Sequence, residues 1–533
     1  MSPGCRIPHD AGMIDHLIVG GGSAGCVLAA RLSEDTSRRV VLLEAGPRDT
    51  RPEIRIPAGF HKLLDGDLDW RLRTDPADDP TGRSRMWPAA RVLGGGSSIN
   101  AMIWMHGHGS GYDAWAAETA DERWSWAHVK PLLKAIEDHH LGASEHHGAG
   151  GPIRIERLRD PHALSHAFVA ACDEAGLPLN PDFNAGDQHG AGWYDVTQSR
   201  GTRWSAARGY LRPALGRPNL EVRTGAFVRR ILLRHGRAVG VEVEIEGAVQ
   251  EVHAEEVILS AGALGSPAVL LRSGIGPAED LKALGIDVIH DAPQVGANLQ
   301  DHPCVPVAWQ TEVPTLLEAE TLGQYLRWRV LKRGMLTSNV AEAGAMLSTD
   351  GPDAVPDIQF HFIPGFAVDH GTRNPEGRGF TIGVTLVRIE SRGRLRLASA
   401  DPHVPPVIEA GTFSEEEDLD RMAVGVRVAR QVGRQSAFDA FRIGEVVPGG
   451  AVEDDDEDLL RMHCLAEHQT LYHPVGTCAM GATDDAPLTS DLRVRGVRGL
   501  RVIDASAMPR ITNANTNAPA LLIAEVGTRL VRG

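Results

Sequence analysis

The stretch from Met13 to Val19 is short and mostly aliphatic, and it stops at Gly20-Gly21-Gly22. An apolar run closed by glycines predicts a buried strand. Ser23 to Ser33 follows with Val27, Leu28 and Leu32 at helical spacing. Arg39 to Leu43 is a second aliphatic strand and ends in Glu44-Ala45-Gly46. The three segments form a β-α-β unit. Val222 to Glu246 alternates, with Val239, Val241, Val243 and Ile245 on one face, as in paired strands. Val257-Ile258-Leu259 is another buried strand, and an apolar helix runs from Ala261-Gly262 to Leu271.

A different texture begins at residue 306. Asp357 to Phe362 and Phe380 to Val387 alternate like strands of an antiparallel sheet. Pro161 to Ala175 reads as a helix. Ser414 and Glu417 have capping-box spacing and predict a helix start at Ser414. Residues 47–93, rich in Pro, Asp and Arg, read as an irregular excursion. The fold class expected is mixed α/β: a Rossmann-like nucleotide-binding domain plus a second domain on an antiparallel sheet with flanking helices. Residues 1–160, 195–305 and 468–533 fall to the first domain. Residues 161–194 and 306–467 fall to the second.

The chain has 533 residues, 54 Lys+Arg and 70 Asp+Glu, for a formal charge of −16. Such a field repels phosphate, so nucleic acid is excluded as a general partner. No run of about 18 apolar residues suggests a transmembrane helix. Met1 to Gly12 lacks an apolar core and a cleavage site, so no signal peptide is expected. Six scattered cysteines do not form a disulfide framework, which predicts reduced thiols and a cytoplasmic location.

Gly20-x-Gly22-x-x-Gly25 lies between the first strand and the helix. Gly20 permits the turn, Gly22 admits a pyrophosphate, and Gly25 lets helix and sheet approach. Ser23 and Ala24 open the helix, whose free N–H groups suit phosphate. Glu44, followed by Ala45, ends the second strand and suits a ribose hydroxyl pair. The motif alone leaves FAD and NAD open.

Two longer segments narrow the choice. Arg91-Val-Leu-Gly-Gly-Gly-Ser-Ser-Ile-Asn100 resembles the first signature of the glucose–methanol–choline (GMC) flavoenzymes, and Gly262 to Gly276 resembles the second. His473-Pro-Val-Gly-Thr and Asn513-Ala-Asn-Thr-Asn-Ala-Pro519 are similar to the family's active-site runs. The resemblance spans about residues 14–530, nearest the choline-dehydrogenase-like and alcohol-dehydrogenase branch. It implies FAD, held at Arg91, Gly95, Gly96, Ser97, Asn100 and Ala101 in the first signature. Further cofactor contacts fall at Val228, Ala261, Gly262, Asp504, Ala505, Asn515, Thr516 and Asn517. Where some members carry a flavin-linked histidine this chain has Ile99, so the FAD is expected to be non-covalent.

Alcohol oxidation needs a base for the hydroxyl proton and an acceptor for hydride, which is flavin N5 in this family. The resemblance gives His473 as base and Asn515 as the group holding the substrate oxygen. The reduced cofactor is expected to pass electrons to a quinone-like acceptor or to oxygen. Glu342, within Ser338 to Gly344, is a candidate for attracting a cationic alcohol such as choline. The alternatives on this scaffold are a hydroxynitrile lyase, which binds FAD without redox turnover, and a light-driven decarboxylase. No metal is expected, although His139, His140, His146 and His147 cluster, because they lack regular ligand spacing. Trp309, Trp328, Phe360, Phe362 and Phe366 suit a substrate cavity or an ordinary core.

Overall fold

The structure, a computed structural model, describes residues 13–533. The expectation about a signal peptide concerns residues outside this range. The chain folds around two seven-stranded sheets.

The first sheet grows from the glycine-rich unit. Strand β1 (Ile14–Val19), helix α1 (Ser23–Leu32) and strand β2 (Val40–Glu44) form the expected β-α-β turn. β1 pairs in parallel with β2 on one side and with Ala248–Leu259 on the other. Leu220–Thr224 and Leu500–Val502 extend the parallel part on either side. Ala226–Arg234, Arg237–Ile245 and the start of Ala248–Leu259 make an antiparallel meander, as their alternation predicts. Every residue of β2 is buried, as expected of a strand covered on both faces. α1 packs beside the C-terminal helix Asn517–Arg532, where Arg31 pairs with Glu525 at 2.9 Å.

One close approach sets this unit. Gly20 has φ +101, and a Cβ on Gly25 would collide with the Gly20 carbonyl oxygen. α1 can start this near the strand end only because Gly25 has no side chain.

The second sheet runs Arg442–Val447, Pro303–Thr311, Gly379–Leu386, Ile358–Ile363, Ala343–Leu347, Gly190–Trp193, with Gln469–Thr470 beside Pro303–Thr311. All its pairings are antiparallel. Helix Glu416–Gly433 packs across it. Its first turn carries Glu416, Glu417 and Asp418, where the helix dipole favours negative charge. The capping box expected at Ser414 does not form. Glu417 instead pairs with Arg421 at 2.7 Å, and the helix starts two residues later. Asp456 does cap Glu457–Glu467, accepting from Leu459 N at 2.9 Å.

Gly25→Ala is expected to cost about 1–3 kcal/mol through overpacking and to lower the melting midpoint of the protein followed by circular dichroism. An unchanged midpoint would contradict the close contact between α1 and Gly20.

Candidate active site

The two sheets meet along a cavity of about 1590 Å³. One wall comes from chain ends that the parallel sheet brings together: Gly20, Gly22, Ser23 and Ala24 after β1, and Glu44 and Ala45 after β2. Ala261, Gly262, Asp504 and Ala505 join them, with Val228 near the far end. Arg91, Gly95, Gly96, Asn100 and Ala101 close this wall. Thr516, Asn515 and Asn517 line it at the start of the last helix. Two expected contact residues stand behind the lining. Gly25 faces the Gly20 carbonyl. Ser97 donates to Gly94 O at 2.6 Å and accepts from Ala206 N at 3.0 Å, fastening the loop from the rear.

This wall fits a dinucleotide. At Gly95, φ +53, a Cβ would come within 2.6 Å of the Gly22 Cα, so two bare glycine turns face each other. The N-termini of α1 and of Gly262–Arg272 open on the same space, and such termini favour phosphate. Glu44 is buried and each of its oxygens accepts one backbone N–H, from Gly21 at 2.7 Å and Gly46 at 2.6 Å. Each carboxylate oxygen retains acceptor capacity toward the cavity that Glu44 lines. Asp504 is tied to Gly262 N, Ser266 and Ser506. The Asn100 Oδ1 accepts from Met102 N and from Arg203 at 2.7 Å, which leaves the Asn100 Nδ2 for the cavity. Ser23 donates to the Asn517 Oδ1 at 3.2 Å, joining the starts of two helices.

The opposite wall belongs to the second sheet and its loops, including Cys304, His361, Ile363, Phe366 and Thr381. His473 stands where the two walls meet. The segment Gln300 to Cys304 runs antiparallel to Gln469 to Val475, through Gln300↔Val475 and Pro303↔Thr470. This pairing brings together two His-Pro dipeptides, His302-Pro303 and His473-Pro474. Tyr472 has φ +67, and the Asp301 carboxylate accepts from His473 N at 2.8 Å.

The imidazoles form a directed chain. Gln359 Nε2 donates to the Asn515 Oδ1 at 3.3 Å, so the Asn515 amide presents its Nδ2 to the His473 Nε2, 3.4 Å away. The His473 Nε2 is then the acceptor and its Nδ1 carries the proton. That proton is shared with the His302 Nδ1 at 3.0 Å. Burial, with the His302 and His361 rings nearby, holds the His473 pKa well below its ordinary value. Burial likewise takes His302 and His361 down to about 3. All three rings are neutral at pH 7. The arrangement is an uncharged imidazole whose unprotonated Nε2 faces the cavity end of an amide donor. It can accept a proton from a hydroxyl while the amide holds the oxygen.

His302, His361, Gln359 and Asp301 were not among the residues read from the sequence as functional. The repeated His-Pro dipeptide was a signal for His302. Burial also lifts the Cys304 thiol to about 12, so it stays protonated.

Glu342 does not line the cavity. Its Oε2 accepts from His162 N and from Ser165 Oγ, both at 2.7 Å, at the start of helix Ala163–Glu174. Of the five aromatics considered, Phe366 lines the cavity. Trp309 and Phe362 stack in the core with Phe380 and Phe168, and Phe360 is buried with them. The Trp328 indole donates to Gly201 O. His139, His140 and Asp195 do come together, but the Asp195 carboxylate also takes Arg157 at 2.9 Å, so an immobile cation already balances it.

No helix among the described residues is long and apolar enough to cross a membrane. Solved structures share the whole fold. Pyridoxine 4-oxidase from Mesorbium loti superposes with a TM-score of 0.89 at 33% identity, covering 97% of this chain and 98% of that one. Formate oxidase gives 0.90 at 26% identity over 98% and 99%. In sequence, the alcohol dehydrogenase [acceptor] of Pseudomonas putida is 40% identical over 97% of this chain and 96% of its own length. The mitochondrial choline dehydrogenase of Homo sapiens is 39% identical over 97% and 89%. The GMC oxidoreductase family models match residues 14–304 and 390–524. Both signature segments read from the sequence, Arg91 to Asn100 and Gly262 to Gly276, fall inside the first match, and the chain belongs to the GMC oxidoreductase family.

Proposed function

We propose that this protein oxidises the hydroxyl of a neutral alcohol to an aldehyde or ketone. The observation that carries this reading is the neutral His473 with its unprotonated Nε2 facing the Asn515 amide. FAD, when bound, supplies the hydride acceptor. Gly20, Gly22, Ser23 and Ala24 would hold its pyrophosphate, and Glu44 with Ala45 would take the ribose. Val228 would meet the adenine. Gly95, Gly96, Asn100 and Ala101 would hold the ring system, and Asp504 and Ala505 the ribityl chain. Thr516 and Asn517 would supply donors for the negative charge of the reduced ring.

His473 takes the hydroxyl proton at Nε2. Asn515, held by Gln359, donates to the same oxygen and stabilises the charge that develops on it. His302 keeps the remaining proton of His473 on Nδ1, so the ring stays aimed. The engagement of Glu342 by His162 and Ser165 takes away the one carboxylate singled out in the sequence for a choline-like cation. We therefore place the substrate among neutral alcohols.

The final acceptor is a quinone-like carrier or oxygen. The relatives include both an alcohol dehydrogenase named for an acceptor and oxygen-dependent choline dehydrogenases. Ile99 lines the cavity beside Asn100 and has no atom for a bond to flavin, which supports non-covalent FAD. The five described cysteines are all free and buried, which supports a reducing, cytoplasmic location.

Anaerobic mixing of the holoenzyme with choline, aliphatic and aryl alcohols, sugars and polyether glycols tests the reading. At least one neutral alcohol is expected to bleach the oxidised flavin band, and choline to leave it intact. Cyanide release from a cyanohydrin without bleaching would identify a lyase instead. His473→Gln is expected to slow flavin reduction by about 10²- to 10⁴-fold, the share of a general base. A rate within a few-fold of the parent would remove His473 from that role. Acid precipitation is expected to leave the yellow cofactor in the supernatant, and a yellow pellet would show a covalent link.

A further inference from the structure

Surface helices normally turn their apolar stripe inward. Helix Leu322–Leu331 does the reverse. Its one buried side chain is Trp328. Leu322, Leu326 and Val330, at i, i+4 and i+8, share a face and are 73%, 51% and 74% exposed. Tyr325 is 39% exposed beside them. Leu331, 62% exposed, and Leu317, 58% exposed in the preceding turn, widen the apolar surface. Scattered exposed leucines need no explanation, but a contiguous set does.

The charge around this patch opposes that of the whole molecule. The chain carries −16, yet Leu322 to Arg333 holds Arg327, Arg329, Lys332 and Arg333 and no carboxylate, and the Glu318 and Glu320 that precede it are paired with Arg378 and Lys62. Asp160 neutralises Arg333 at 2.8 Å, and the Lys332 ammonium lies over the Trp328 ring at 3.8 Å. Arg327 and Arg329 have no ion pair among the described residues. The patch is thus apolar and locally cationic in an acidic protein.

It is also continuous with the cavity. Leu317, Leu322 and Tyr325 line the cavity as well as facing solvent, beside Phe60 and Lys62. The patch borders the cavity at these residues.

We propose that this face docks on an anionic lipid bilayer, with helix Leu322–Leu331 lying in the interface plane. Leu322, Leu326 and Val330 enter the boundary between headgroups and acyl chains, and Arg327 and Arg329 meet lipid phosphates. Interfacial helices combine these two features, an apolar face and unpaired basic residues. The cavity mouth then opens toward the membrane. Given the alcohol-oxidising activity proposed above, apolar substrates and quinone-like acceptors would enter from lipid. The docking itself does not depend on that activity.

Flotation of the full-length holoenzyme with vesicles tests the proposal. Vesicles of phosphatidylcholine mixed with phosphatidylglycerol are expected to carry the protein, and pure phosphatidylcholine to carry it on the order of tenfold less. Leu326→Glu with Val330→Glu, and separately Arg327→Glu with Arg329→Glu, are expected to abolish flotation. Neither pair lines the cavity, so FAD content and circular dichroism should stay those of the parent. Failure of the parent to float on the anionic vesicles would overturn the proposal, as would full flotation of both variants. A parent that stays in solution as a dimer, and becomes monomeric with Leu326→Glu and Val330→Glu, would assign the face to a second copy instead. Flotation needs no alcohol, so its outcome is independent of the activity assay.

Discussion

The site depends on one constraint: His473 is held uncharged in the seam between the two sheets. Its backbone N–H is fixed by Asp301, its Nδ1 by His302, and its Nε2 faces Asn515. Asp301 and His302 reach it from one segment because Pro303–Thr311 and Gln469–Thr470 pair within the second sheet, and Asn515 reaches it from the start of the last helix. Were the imidazole in open solvent, it would be partly protonated near neutrality. Burial among other neutral rings instead keeps the lone pair available. A buried polar group is costly unless bonded, and here each nitrogen of the His473 ring has a partner. The second sheet therefore serves both as substrate wall and as the clamp on the base.

The opposite wall answers a different demand. A flat cofactor carrying two phosphates must lie against main chain. The glycine turns at Gly22 and Gly95 and the starts of two helices provide that surface. This is why an acidic chain can hold an anionic cofactor. Local amides set the field at the phosphates, while the net charge acts at longer range. The same separation of local from global charge appears at Arg327 and Arg329.

Much of this was legible in the chain. The β-α-β unit was readable because buried parallel strands are continuous aliphatic runs and the turn is glycine. The second sheet showed in the alternation at 357–362 and 380–387. His473 and Asn515 were found by the resemblance of their segments to a family, and the structure brings their side chains together. What escaped was decided by tertiary partners. Glu417 has capping spacing, but Arg421 one turn away offers a stronger partner. Glu342 was read as a substrate carboxylate, yet the free N–H of His162, 180 residues earlier in the chain, takes it. Trp309 and Phe362 look the same in sequence as Phe366, and only packing separates core from cavity. His302 was hidden because its meaning is its distance to His473.

The pH dependence of anaerobic flavin reduction, at saturating alcohol, tests the central claim most directly. A buried neutral His473 predicts a first-order rate that is flat through neutrality and falls only below pH 6.5, the ordinary histidine value. The sign follows from the depressed pKa: the base persists as pH falls until the folded-state value is reached. A rate that rises with pH through an inflection at or above 6.5 would mean that His473 is charged near neutrality, and would contradict the account.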